Sequence, residues 1–116
     1  MVKLLKDLKR KNNMEKTKIL KFKKRKTDNE LDNYPLVEIK WYDIVSESTW
    51  LSIKELKEME LPVCVTKAHL LSQSKGVTRV FGDYAEDDDG GIADLGNVTI
   101  IPTSVIINIK KIVDKS

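Results

Sequence analysis

With a single cysteine, Cys64, the chain can form no internal disulfide, a usage that fits a reducing compartment. It also has a single histidine, His69. Cys64 and His69 lie five positions apart in a run that reads as one strand, so their side chains point to opposite faces and cannot pair as nucleophile and base. Glycine occurs five times, with no phosphate-cradling Gly loop; no zinc ligand set and no nucleophile motif is present. No apolar run approaches the roughly 18 to 20 residues of a membrane span, and the N-terminus lacks the apolar core and cleavage site of a signal peptide. These absences point away from catalysis, metal binding and cofactor use.

What is present is a charge split. The net charge of +3 over 116 residues hides two unlike parts. Residues 1–27 carry twelve Lys or Arg against two acids, a net of +10, whereas residues 28–116 carry nine against sixteen, a net of −7. The sequence therefore reads as a basic arm with its linker, residues 1–33, joined to an acidic domain, residues 34–113. Residues 1–11 place Val2, Leu4, Leu5 and Leu8 on one face of a short helix that is marginal without a partner surface. Met14 offers an alternative start. Residues 27–34 read as a polar linker.

The domain reads as mainly β in the order β-α-β-β-β-β. Residues 36–42 alternate, with Val37, Ile39 and Trp41 inward. Ser52 and Glu55 match a capping box for a short helix with Ile53, Leu56 and Met59 on one face; Pro62 closes it. Residues 63–73 form a long strand with Cys64, Thr66, Ala68 and Leu70 on one side and Val63, Val65 and His69 on the other. Residues 72–76 turn, 77–84 form a further strand, and 86–91 an acidic loop. Residues 98–101 make a strand that Pro102 stops, Thr103 and Ser104 make a 3₁₀ corner, and a last strand puts Val105, Ile107 and Ile109 on one face. Five short strands suit a small SH3-like barrel or one bent sheet.

From residue 37 to residue 112 the chain resembles a loosely defined group of small proteins encoded by bacteriophages and related mobile elements. The resemblance rests on Trp41, Asp43, Ser48, Trp50, Cys64, Thr66, Ile101, Pro102, Ile106 and Ile109. Ala68 departs from it, since the group often has glycine there. The resemblance implies a compact, SH3-like accessory protein in the cytoplasm of an infected bacterial host. It implies no established activity.

Candidate contact residues follow from charge and aromaticity. Lys16, Lys18, Lys21, Lys23, Lys24, Arg25 and Lys26 suit phosphates through counterion release, and Phe22 suits stacking on a single strand. The same arm can alternatively lie on an anionic membrane or stay solvated; Ile19, Leu20 and Phe22 favour a contact surface. Trp50 is either a cap on the core or an exposed anchor for a peptide or base. Asp87, Asp88 and Asp89 offer an acidic face to a basic partner, without the spacing of a calcium loop. The expected function is a non-enzymatic binding protein whose arm contacts nucleic acid while the domain serves as scaffold or oligomerisation unit. The alternatives are an inhibitor of a host protein, acting through the acidic surface, and a small-ligand binder at an oligomer interface.

Overall fold

A computed structural model describes residues 17–22 and 29–113. The described residues form a mainly β structure. It runs from a 3₁₀ turn (Glu30–Asn33) through β1 (Leu36–Tyr42), a short helix α1 (Ile53–Glu58), β2 (Val63–Ser74), β3 (Val77–Glu86) and β4 (Ile92–Pro102). A second 3₁₀ turn (Thr103–Val105) then leads to β5 (Ile106–Lys111). All pairings are antiparallel, and the strand order is β4-β3-β2-β1-β5.

Stagger along β2 explains the shape. Its first half pairs with β1, from Val63 opposite Tyr42 to His69 opposite Leu36. Its second half pairs with β3, from His69 opposite Phe81 to Ser74 opposite Val77. One long strand thus serves two half-sheets, with a bulge between Leu70 and Ser72 at the change-over. The link between the outermost strands makes curvature obligatory. β4 and β5 lie on opposite edges, yet only Thr103–Val105 joins them. Three residues of 3₁₀ turn advance about 6 Å, whereas the edges of a flat five-stranded sheet lie about 19 Å apart. The sheet must curl so that one end of β4 meets one end of β5.

Curling stops short of closure. β4 and β5 do not pair along their length, so the expected SH3-like barrel is corrected to an open, bent five-stranded sheet. The 3₁₀ corner spends its hydrogen bonding elsewhere: Thr103 N donates to the carbonyl of Gly76, 3.0 Å away, in the β2–β3 turn. That turn is a tight two-residue hairpin with positive φ at both Lys75 (52°) and Gly76 (77°), as a type I′ geometry requires.

The concave face holds the core: Val37 and Ile39 from β1, Ala68 and Leu70 from β2, Val80 from β3, Ile101 from β4, and Ile106 and Ile109 from β5. In β5 the expected face is corrected. Ile106 and Ile109 are buried rather than Val105, Ile107 and Ile109 together, because a register shift opposite Lys40/Trp41 inserts Ile107 as an extra residue. A second small cluster sits on the opposite face. Phe81 is fully buried there, stacked on His69 with ring centroids 5.3 Å apart and met edge-on by Tyr34 at 5.8 Å. His69 Nδ1 lies 3.0 Å from the Tyr34 carbonyl, and the histidine is half-buried in this packing.

Candidate functional site

Two features stand out against this frame: a segment of the basic arm strapped onto the sheet, and a long exposed excursion between β1 and β2.

The strap is residues 17–22. Ile109 N donates to the Thr17 carbonyl and Thr17 N to Asn108 Oδ1, fixing one end beside β5. Lys18 Nζ reaches the Ser104 carbonyl at 3.1 Å. Gln73, on β2, grips the middle: its Oε1 accepts from Leu20 N at 2.9 Å and its Nε2 donates to the Lys18 carbonyl at 2.7 Å. The same Nε2 lies 2.9 Å from Thr78 Oγ1, which is 2.9 Å from Thr103 Oγ1, so the hydroxyl of the fully buried Thr78 is satisfied. Leu20 and Phe22 pack against the core. Of the residues expected to contact nucleic acid, Lys18 and Lys21 are exposed on the strap, while Phe22 is half-buried against the core instead of presented for stacking. Lys16, Lys23, Lys24, Arg25 and Lys26 lie outside the described residues, as does the amphipathic run 1–11.

The excursion, residues 44–61, leaves at Tyr42 and returns at Val63. Its neck is built from Trp41, Asp43, Pro62, Cys64 and Thr66. Trp41 Nε1 donates to Thr66 Oγ1 at 3.0 Å, Cys64 Sγ lies 4.0 Å from Asp43 Oδ2, and Asp43 N donates to the Pro62 carbonyl at 3.0 Å. Asp43 Oδ1 also accepts from Ile44 N at 2.8 Å. Beyond the neck the capping box forms as expected: Glu55 N donates to Ser52 Oγ and Ser52 N to Glu55 Oε1, both at 3.1 Å. These bonds to Ser52 hold the Glu55 carboxyl below its ordinary pKa; bonds from Thr49 do the same for Glu47.

The apolar face of α1 does not rest on the sheet. Every residue from 44 to 63 is exposed, with Trp50 at 100%, Ile44 at 82% and Ile53 at 77%. The reading of Trp50 as a core cap is therefore corrected: Trp41 packs against the core and Trp50 stands in water. Residues including Val45, Trp50, Leu51, Leu56 and Met59 line a groove of about 530 Å³ within the excursion.

The acidic loop is organised from within. Asp87 Oδ1 accepts from Asp89 N (2.9 Å) and Gly91 N (2.7 Å), and Glu30 Oε2 accepts from Ile92 N at 2.9 Å. Asp87 is thus the brace of the turn, and Asp87, Asp88 and Asp89 are all exposed. Trp50 and the aspartates belong to separate connections, β1–β2 and β3–β4. Among the described residues no three His, Cys, Asp or Glu come together as a metal site, and no helix is long and apolar enough to cross a membrane.

A patch with no clear trace in the one-dimensional pattern lies on the outer sheet face. Glu38 of β1 sits directly between Lys67 of β2 and Lys110 of β5, and Lys110 Nζ reaches Glu38 Oε2 at 3.0 Å. Lys40 stands two residues along the same face, opposite the exposed Val65, and Tyr42 stands opposite the exposed Val63. The hydrogen bond from Lys110, with the nearby Lys67 and Lys40 charges, holds the Glu38 carboxyl below its ordinary range. Only cross-strand register brings these residues together.

Comparison with family models, curated proteins and solved structures gives no match for this chain.

Proposed function

We propose that this chain is a non-enzymatic binding protein whose bent sheet holds out residues 44–61 as a protein-docking arm anchored by Trp50. One observation carries the reading: a capped helix and a fully exposed tryptophan project from a built neck while leaving their apolar side chains in water. Contiguous apolar surface of this kind on a water-soluble fold marks a contact site, and tryptophan is the residue type most enriched at binding hot spots. The resemblance to phage-encoded proteins supports an accessory role in an infected bacterial cytoplasm, with a host protein or another phage protein as partner.

The deciding experiment is capture by immobilised full-length chain and by Trp50→Ser. A partner held by the first and released by the second supports the reading. Capture that is indifferent to Trp50 contradicts it.

A second reading, nucleic-acid contact by the basic arm, is favoured by the strap. Gln73 and Asn108 fix the backbone at residues 17–20, so Lys18 and Lys21 are presented at defined positions beside the lysine-rich flanks. Such binding is salt-steep and weakly sequence-specific. Because Leu20 and Phe22 complete the core, it is tested with Lys21→Glu and Lys23→Glu in the full chain rather than by deletion.

A further inference from the structure

The excursion and the outer sheet face are complementary in both charge and polarity. Residues 43–62 carry five acids (Asp43, Glu47, Glu55, Glu58, Glu60) against Lys54 and Lys57, a net of −3. The outer face of β5-β1-β2 carries Lys40, Lys67 and Lys110 around Glu38, a net of +2, and beside them the exposed apolar side chains of Tyr42, Val63 and Val65. An acidic, apolar surface and a basic, apolar surface therefore stand on the same chain. Neither covers the other: the excursion is exposed throughout and so are Tyr42, Val63 and Val65.

Size argues for a macromolecular occupant. Residues 44–61 leave eight large apolar side chains exposed, an extent that suits a protein partner. Position argues for symmetry. The excursion leaves and re-enters at Tyr42 and Val63, the residues that end the basic face. An isologous pair, in which each excursion meets the other copy's outer face, would satisfy both contacts at once.

Resting on the docking-arm reading, we infer that the occupant is a second copy of this chain: the 44–61 excursion of each protomer docks on the Lys40/Lys67 sheet face of its partner, beside Tyr42 and Val65. Trp50 and Leu56 supply the apolar contact, and Glu58 and Glu60 meet the lysines. Complementary charges of this sort set register and partner choice and make association salt-sensitive.

The test is sedimentation equilibrium of the full chain over a dilution series, with circular dichroism to verify that each variant is folded. The wild type is expected to be a reversible dimer, weakened at least about 30-fold by Trp50→Ser. Two charge variants decide the pairing: Lys40→Glu with Lys67→Glu, and Glu58→Lys with Glu60→Lys. Each alone sets like charges against each other in both contacts and is expected to weaken self-association by roughly tenfold or more. Mixed, they pair an acidic arm with a basic face and a basic arm with an acidic face, and the heterodimer is expected to recover. A dimer indifferent to Trp50→Ser and to both charge variants places the interface elsewhere and overturns the inference. A chain that stays monomeric while capturing another protein through Trp50 overturns the second copy and leaves the docking arm intact. A monomer with no Trp50-dependent binding overturns both.

Discussion

Gln73 and Leu20 are joined by a 2.9 Å hydrogen bond across fifty-three positions of sequence, from the side chain of a sheet residue to the backbone of the basic arm. With the return bond from Gln73 Nε2 to the Lys18 carbonyl, it makes residues 17–22 part of the folded body. Leu20 and Phe22 pack, half-buried, against the core of the sheet. The contact surface expected of Ile19, Leu20 and Phe22 is, for Leu20 and Phe22, the chain's own core.

Loss of that packing should weaken the fold. Leu20→Ala is expected to cost about 1–2 kcal/mol, less than a fully buried leucine because the side chain is only half-buried. Gln73→Ala, which also strips a partner from buried Thr78, should cost a similar 1–2 kcal/mol. Urea unfolding of full-length protein reads both. Unchanged midpoints would show that the strap contributes nothing to stability.

The tryptophans should separate cleanly. Trp50→Ala removes a side chain that touches no core and should change stability by no more than about 0.5 kcal/mol, while abolishing binding. Thr66→Val removes the partner of Trp41 Nε1 at the neck and should cost about 1 kcal/mol. Denaturation midpoints beside binding assays on the same samples check the pair.

Ser52→Ala breaks the capping box and should cost α1 about 1 kcal/mol locally. A six-residue helix without tertiary support has little cooperativity of its own, so the loss should appear in amide exchange over residues 53–58 and leave global unfolding nearly untouched. A large drop in global stability would mean that the helix packs on the sheet after all.

Acid should loosen two places. The folded carboxyls of Glu38 and Glu55 titrate below their unfolded values, so their contributions are complete above about pH 4.3 and fade as the pH falls through the lowered folded values. Side-chain carboxyl NMR should show Glu38 titrating below an ordinary glutamate and moving up in Lys110→Ala. No movement would remove Lys110 as the main cause.

Much of this fold is legible in the sequence, and the misreadings share a cause. Alternation at Val37, Ile39 and Trp41, the capping box at Ser52 and Glu55, and the Pro102 corner are local signals, and each appears where it is expected. Period-two counting places Ile107 on the core face because it cannot foresee the bulge against β1. Closure into a barrel depends on whether β4 and β5 pair, and no local pattern encodes that. The apolar spacing of Ile53, Leu56 and Met59 signals an amphipathic helix without saying what covers it. Ile19, Leu20 and Phe22 signal a contact surface in the sequence, but nothing local says that Leu20 and Phe22 meet the chain's own core. The Lys40, Lys67 and Lys110 patch exists only in register, drawn from three strands far apart in sequence.

The most direct measurement is ¹⁹F NMR of full-length protein labelled with 5-fluorotryptophan, followed over a dilution series, with Trp50→Phe to assign the two resonances. At the lowest concentration Trp50 should show the full solvent isotope shift of a ring in water, while Trp41 stays partly shielded. As concentration rises, the Trp50 resonance alone should lose that shift as the second copy covers it. A Trp50 ring already shielded in the dilute monomer would contradict the exposed docking arm, and one that stays fully exposed at every concentration would contradict its occupation by a second chain.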